Sequence, residues 1–252
     1  MDINDRFKDY KRIVIKVGTS TITYPNGKLN LRMIERLCWM LSDLKNRDKE
    51  VVLVSSGAIG VGSKSLGFEK RPKLTREKQA AAAVGQAILM QIYQNFFNTY
   101  TQTVAQILLT KTDFEQGVRR TNTENTFTEL LSRGIIPIVN ANDTTSTFEI
   151  EFSDNDRLAA NVAALLHSDL LILLTDIDAL YDSDPKTNPN AKKIDEIKCA
   201  DIISKGLRVI DLSAASLCND QKVPVLIFGL NEENSLMRAV KGEKIGTVVT
   251  VD

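Results

Sequence analysis

The sequence is poor in the residues that build disulfide or metal-bound scaffolds. Its 252 residues include three cysteines, without a CxxC pair, and a single histidine, His167. A disulfide framework needs paired cysteines and a zinc site needs several Cys or His ligands, so neither can be built. His167 has no nucleophile near it in the sequence, and we assign it no catalytic role. Few, widely spaced cysteines are typical of a cytoplasmic protein.

An excess of charge of one sign is also absent. Lys and Arg together number 32, as do Asp and Glu, so the formal net charge is zero. This balance removes the electrostatic field expected of a protein that binds duplex DNA or anionic membranes. No run approaches the ~18 uninterrupted apolar residues of a membrane span, and the N-terminus lacks the apolar stretch of a signal peptide. We therefore expect a small-molecule ligand, with no nucleic acid and no membrane.

The sequence does contain apolar runs of strand length that alternate with helical patterns. The runs are RIVIKV (12–17), EVVLVSS (50–56), TVAQILLT (103–110), GIIPIVN (134–140), DLLILLT (169–175) and VPVLIFG (223–229). Runs bounded by turn residues favour strands buried on both faces of a parallel sheet. Helical periodicity follows Asn30 and recurs at 78–98, 120–133, 154–166, 198–221 and 232–241. The pattern predicts an α/β fold, an αβα sandwich around a mainly parallel open sheet, as one domain over residues 1–252.

Small and polar residues follow four of the apolar runs. In open α/β sheets, ligands bind beyond the carboxyl ends of the strands, so these residues are candidates for a binding site. These segments are KVGTS (16–20), SSGAIGVG (55–62), NAND (140–143) and TDID (175–178). The two Gly/Ser turns can aim backbone N–H groups at an anion, and Lys16 adds a positive charge beside them. Neither GxxxxGK[ST] nor GxGxxG occurs at a strand-to-helix turn. The pattern predicts phosphoryl transfer by positioning and charge neutralisation.

Carboxylates cluster at a predicted helix start, in the segment SDND (153–156). Ser153 or Asp154 can act as an N-cap, but capping explains only one residue of the group. Asp156 is placed to pair with Lys16 and orient it. Taken alone, the glycines of 57–62 and the small residues of 80–86 favour tight turns and close helix packing, with a binding role as the alternative.

Together these segments resemble the amino acid kinase family. The motifs are KVGTS, VSSGAIGVG, KQAAAAVGQ, AQILLT, NANDTTSTFEI, FSDNDRLAA and LLTDIDALYDSDP, between about Lys11 and about Pro189. Within the family they resemble the members that phosphorylate the γ-carboxylate of L-glutamate, the first step of proline biosynthesis. The resemblance implies the substrates L-glutamate and ATP, with Mg²⁺, and a homo-oligomer.

The resemblance also implies roles for individual residues. Lys16 contacts the ATP phosphates and Asp156 organises it, so both are catalytic candidates. The glutamate-binding candidates are Ser56, Gly57, Asp143 and Asn155. The candidates on the nucleotide side, besides Lys16, are Gly18, Thr175 and Asp176. Gly18 and Gly57 provide space and N–H donors near the phosphates.

From Tyr181 onward the chain resembles bacterial UMP kinase, another branch of the same family. This match adds Tyr181 and Asp184 to the nucleotide site. The family's GTGGM-type segment with a second lysine is absent, and whether Lys205 or another lysine replaces it is open. The C-terminal PUA domain common in the family is also not found. We expect residues of about 1–175 to bind the acceptor and about 176–252 the nucleotide.

Two other functions are considered. A UMP kinase is suggested by the tail, but the VSSGAIGVG turn has no arginine, which a phosphate-bearing acceptor would need. A catalytically silent nucleotide-binding protein is suggested by the missing lysine segment. Losing one charge-stabilising donor typically lowers a rate by about 10²- to 10³-fold rather than abolishing it. The sequence thus favours the glutamate-phosphorylating activity.

Overall fold

The computed structural model describes residues 3–146, 155–183, 187–188, 190–205, 210–230 and 234–251. In these residues the strands are β1 (Arg12–Val17), β2 (Glu50–Val54), β3 (Val104–Leu109), β4 (Ile136–Ala141), β5 (Leu170–Thr175), β6 (Leu180–Tyr181), β7 (Lys193–Ile194), β8 (Glu196–Lys198), β9 (Val225–Gly229) and β10 (Thr247–Thr250). The helices are α1 (Ile3–Arg6), α2 (Thr19–Ile22), α3 (Leu31–Asn46), α4 (Ala58–Ser65), α5 (Thr75–Thr99), α6 (Val118–Ser132), α7 (Asp156–Leu165), α8 (Cys199–Lys205), α9 (Leu212–Asp220) and α10 (Ser235–Val240).

Within the described ranges, eight strands form one sheet in the order β3-β4-β2-β1-β5-β9-β10-β8. The six strands from β3 to β9 in this order are parallel, and β10 is antiparallel to β9. In the sheet, β1 has the next strand of the chain, β2, on one side and the later strand β5 on the other. In open parallel sheets, ligands bind at the carboxyl edge near the point where the direction of the strand order reverses. The predicted, mainly parallel α/β sheet is confirmed.

Side chains alternate between two helical layers across β1. Ile13 and Ile15 pack in the core that contains α3, α4, α5 and α10. Val14 packs in the opposite core, with α6, α7, α8 and α9. This alternation follows from the two-residue period of a strand, and it yields the predicted αβα sandwich. Among the described residues, no helix has both the length and the apolarity needed to cross a bilayer.

Two glycines set the position of α4 against α5. A Cβ on Gly62 would lie 1.8 Å from the carbonyl oxygen of Ala81, and one on Gly85 would lie 1.8 Å from that of Ala58. The two backbones are therefore in contact, which is the close helix packing predicted for the small residues of 80–86. Because α4 begins directly after Gly57, this packing fixes the turn that follows β2.

The structure differs from the sequence prediction in three places. The turn after β2 ends at Gly57, and the remaining small residues belong to α4. The helix expected over 198–221 is two helices, α8 and α9. Asp211 caps α9, because its carboxylate accepts hydrogen bonds from the N–H groups of Ser213 and Ala214. Strands β6, β7, β8 and β10 were not predicted, since two to four residues are too few to show an alternating pattern.

Candidate active site

A buried ion pair lies at the carboxyl edge of the sheet. Lys16, near the end of β1, lies in register with Val54 of β2 and Leu173 of β5. Its ammonium lies 2.7 Å from the carboxylate of Asp156, the first residue of α7. The pair predicted from the sequence therefore forms. A charge removed from water needs such a partner, which explains how a lysine is accommodated in an apolar strand.

Gly18 leaves space beside this ammonium. A Cβ on Gly18 would lie 3.8 Å from Nζ of Lys16, which is ordinary van der Waals contact. The turn between β1 and α2 is therefore adjacent to the lysine. A side chain at this position would occupy space next to the ammonium.

The turn after β2 places a hydroxyl and backbone N–H groups at the same edge. Gly57 has φ of 93°, in the left-handed region that favours glycine, and it precedes α4. Next to it, the hydroxyl of Ser56 accepts a hydrogen bond of 3.1 Å from Asn155. The same Asn155 amide donates to the backbone carbonyl of Ser55 at 2.6 Å. The start of α7 and the end of β2 are thus joined through Asn155.

Asn155 continues into a chain of side-chain amides. Its Nδ2 donates to Oδ1 of Asn140 at 3.0 Å, and Nδ2 of Asn140 donates to Oε1 of Gln86 at 2.9 Å. Asn140 and Gln86 are buried. Asn155 occupies the N-cap position of α7 without making a side-chain capping bond. The alternative caps, Ser153 and Asp154, lie outside the described residues.

A cavity of about 340 Å³ opens beside these residues. It is lined by Ser56, Gly57, Asn140, Asp143 and Asn155, together with residues of the loop between α4 and α5. The structure therefore brings together all four predicted glutamate-binding candidates. Asn155 lies next in sequence to Asp156, so the cavity adjoins the Lys16–Asp156 pair.

Asp143 has an unusual environment in this cavity. Burial raises the pKa of its carboxyl to about 6, and the positive charge of Arg71 opposes that rise. In the described part of the chain, Asp143 forms no hydrogen bond or salt bridge. A partly desolvated carboxylate without a direct partner is suited to receive a cationic group from a ligand.

The predicted nucleotide-side residues lie at the end of β5. The hydroxyl of Thr175 hydrogen-bonds to both the N–H and the carbonyl of Ile177, and Asp176 is exposed. Tyr181 is on the β6–β7 hairpin, where its hydroxyl donates to Asp178 at 2.9 Å and this bond raises the pKa of Tyr181. None of these residues lines the cavity.

Two other predicted positions lie wholly or partly outside the described residues. Asp184 and the side chain of Lys205 lie outside the described residues, although the backbone of Lys205 ends α8. Within the described part of the chain, no group of three or more His, Cys, Asp or Glu side chains is placed to hold a metal ion.

Sequence reasoning missed two residues of the site. Gln86 lies on the buried face of α5 with Ala82, Leu89 and Tyr93, and a polar residue on such a face needs a hydrogen-bond partner. The helical periodicity of the sequence already places Gln86 on this apolar face, so the sequence contained the signal. Arg71 belongs to an exposed loop, and nothing in the sequence pattern distinguishes it from the neighbouring lysines.

Comparisons with known proteins agree with this geometry. The sequence model of the amino acid kinase family matches residues 11–229. The chain is 48% identical to a glutamate 5-kinase of Clostridium perfringens, over 96% of each chain. It is 45% identical to a glutamate 5-kinase of Listeria monocytogenes serotype 4b, over 98% of this chain and 95% of the relative. These matches include most of the C-terminal part that resembles UMP kinase.

The fold is similar to that of solved UMP kinases. The structure from Bacillus anthracis superposes with a TM-score of 0.72 at 20% identity, covering 96% of this chain and 97% of that one. The structure from Ureaplasma parvum gives a TM-score of 0.71, also at 20% identity, covering 96% and 99%. At this identity the likeness concerns the fold alone.

Proposed function

Because this chain belongs to the amino acid kinase family, we propose that it transfers the γ-phosphoryl group of ATP to the γ-carboxylate of L-glutamate. The products are L-glutamyl 5-phosphate and ADP, and the reaction is the first step of proline biosynthesis. One observation carries this proposal. In the described part of the chain, the half-buried carboxylate of Asp143 has no direct partner, and it lies in a cavity beside the buried Lys16–Asp156 pair.

The acceptor is oriented by its two ends. Its α-ammonium binds the carboxylate of Asp143 and supplies the charged partner that the described residues do not provide. Its γ-carboxylate lies toward Ser56 and Asn155, which line the cavity next to the ion pair. A glutamate γ-carboxylate is already ionised at neutral pH, so the reaction needs no general base.

The chemical step is an in-line displacement at phosphorus. A γ-carboxylate oxygen forms a bond to the γ-phosphorus of ATP, and the bond from that phosphorus to the β,γ-bridging oxygen breaks. Lys16 neutralises charge on the transferring group, and Asp156 holds the ammonium in place. Gly18 lies beside Nζ of Lys16 and is proposed to leave room for the phosphates. The protein's contribution is thus to bring two anions together.

The nucleotide binds on the β5 side of Lys16. Thr175, Asp176, Tyr181 and Asp184 are proposed to line this region, and the division at about residue 175 into acceptor and nucleotide parts is proposed with them. Mg²⁺, when bound, neutralises phosphate charge. We propose that the metal binds with the ATP phosphates, which is a common mode for Mg²⁺.

We also propose that the protein is a cytoplasmic homo-oligomer. Leu31 and Trp39 on α3 are large apolar side chains that are 50% and 39% exposed. Exposed apolar side chains on one helix favour a contact between subunits. Light scattering on the purified protein tests this proposal, and a Trp39→Glu variant should shift the mass toward the monomer. A monomeric wild-type protein would contradict it.

UMP phosphorylation is the second candidate, because the fold resembles UMP kinases. The cavity favours glutamate, since UMP has no ammonium group for Asp143. The test is ADP release with Mg-ATP and either L-glutamate or UMP, in the presence of hydroxylamine to trap an acyl phosphate as a hydroxamate. We expect ADP and hydroxamate only with glutamate. UMP-dependent ADP would identify a UMP kinase, and silence with both would favour a nucleotide-binding protein.

A further inference from the structure

The charged side chains around the cavity favour an acidic ligand. Three cationic residues (Lys64, Lys70 and Arg71) and two acidic ones (Glu69 and Asp143) line it. The lining therefore carries one net positive charge if all five groups are ionised. L-glutamate carries one net negative charge at neutral pH, so the cavity and this acceptor are complementary.

Arg71 differs from the two lysines in its relation to Asp143. It is the cation whose charge opposes the burial-induced rise in the pKa of Asp143. Among the described residues, however, the two side chains form no salt bridge, and neither forms a hydrogen bond. A positive and a negative group thus line the same cavity, and among the described residues no salt bridge joins them. An α-amino acid presents the complementary pair, an ammonium and a carboxylate on one carbon.

We propose that Arg71 binds the α-carboxylate of the acceptor and so determines specificity for an α-amino acid. The inference rests on the proposed function, in which Asp143 binds the α-ammonium. A guanidinium matches a carboxylate with two parallel hydrogen bonds, which a lysine ammonium does not.

The position of Arg71 agrees with this orientation of the acceptor. It lies on the loop that joins the end of α4 to the start of α5, and it is exposed, whereas Ser56 and Asn155 are half-buried. The α-carbon end of the acceptor therefore lies near the open side of the cavity. The γ-carboxylate then points inward, toward the region next to Lys16.

The test compares two ligands that each lack one charged group of glutamate. 4-Aminobutanoate lacks the α-carboxylate, and glutarate lacks the ammonium; both retain a terminal carboxylate. Each is measured as a competitive inhibitor against L-glutamate in wild-type protein and in Arg71→Gln. Hydrogen bonds to a charged group correspond to about 10- to 100-fold in binding. We expect Arg71→Gln to raise the KM for glutamate and the inhibition constant of glutarate by about that factor, and to leave that of 4-aminobutanoate nearly unchanged.

Two charge-matched variants serve as controls. Lys73→Gln removes a positive charge from the same loop, at a position that does not line the cavity. It should leave the KM for glutamate and the inhibition constants of glutarate and 4-aminobutanoate unchanged. Lys70→Gln removes a neighbouring cation that does line the cavity. The inference is overturned if Arg71→Gln weakens 4-aminobutanoate as much as glutamate, if it leaves the KM for glutamate unchanged, or if Lys70→Gln alone reproduces the selective loss.

The outcomes separate this inference from the proposed function. A wild-type protein that releases ADP with glutamate, but whose Arg71→Gln variant shows no selective loss, contradicts only the role of Arg71. A wild-type protein that does not respond to glutamate at all contradicts both.

Discussion

The ammonium of Lys16 and the carboxylate of Asp156 lie 2.7 Å apart, and less than a tenth of either side chain is exposed. One residue comes from the central strand β1 and the other begins helix α7. Two charges are expensive to bury, and each remains in the interior only because the other is present. The pair therefore links the stability of the fold to the chemistry of the site.

Replacing Lys16 with Met should lower kcat by at least about 10²- to 10³-fold, because the main charge-stabilising group of the transfer is lost. The variant should also be less stable by about 3–5 kcal/mol, since the carboxylate of Asp156 is left buried without its partner. Rates of ADP release and urea unfolding measure the two effects.

The double variant Lys16→Met/Asp156→Asn separates stability from catalysis. It removes both charges, so it should recover most of the lost unfolding free energy while staying inactive. Turnover close to that of the wild-type protein in either variant would remove Lys16 from the proposed mechanism.

Glutamate binding should depend on the ionisation of Asp143. Its pKa in the free protein is raised to about 6, and only the ionised form attracts an ammonium. As the pH falls below about 6, the KM for glutamate should rise by up to about tenfold for each unit, whereas the KM for ATP should change little. Initial rates over this pH range, with each substrate varied in turn, test the prediction.

Asp143→Asn is the matched variant for this pH dependence. Its KM for glutamate should be high and nearly independent of pH in the same range, with the KM for ATP unchanged. Equal effects on both substrates would place Asp143 outside the acceptor pocket.

The same substitution should stabilise the free protein at neutral pH. The folded-state pKa of Asp143 is raised above the unfolded value of 3.8, so ionisation of this group lowers stability as the pH rises from about 4 to about 6. An uncharged Asn avoids that loss. Thermal unfolding of the two proteins at acidic and neutral pH should show the stabilisation only at the higher pH.

Gln86 should support the acceptor site from a distance. Gln86→Met keeps the size of the side chain but removes the oxygen that accepts from Asn140, leaving a buried donor unsatisfied. We expect a loss of about 1–3 kcal/mol in stability, with a lower kcat/KM for glutamate. Gln91→Met, an exposed position on the same helix, is the control and should be neutral in both measurements. Equal behaviour of the two variants would contradict the role of the amide chain.

The α4–α5 contact predicts opposite results for two glycines in one helix. Gly62→Ala would place a Cβ 1.8 Å from the backbone of Ala81, so the helices must separate and the protein should be strongly destabilised. Gly60→Ala meets nothing within 4 Å and should be neutral or stabilising, by up to about 1 kcal/mol, because alanine favours a helix. Thermal unfolding distinguishes them, and similar melting temperatures would contradict the tight contact.

The sheet and the Lys16–Asp156 pair were predictable because their signals are local. Buried parallel strands appear as continuous apolar runs, and a lysine within such a run indicates a buried partner, which Asp156 provides. The amide chain was not predicted, because its residues lie on β4, α5 and the start of α7 and meet only after folding. The proposed role of Arg71 depends on where the loop between α4 and α5 lies relative to the cavity, and no periodic pattern encodes that position.

The most direct test of the account follows oxygen atoms from glutamate to phosphate. L-Glutamate labelled with ¹⁸O in both γ-carboxyl oxygens is incubated with the protein, Mg-ATP and hydroxylamine. Because hydroxylamine attacks the carbonyl carbon of an acyl phosphate, the bridging oxygen leaves with the phosphate. If the γ-carboxylate is the acceptor, each phosphate released carries one ¹⁸O atom and one hydroxamate forms for each ADP. Unlabelled phosphate, or ADP release that does not depend on glutamate, would show that the γ-carboxylate is not the phosphoryl acceptor.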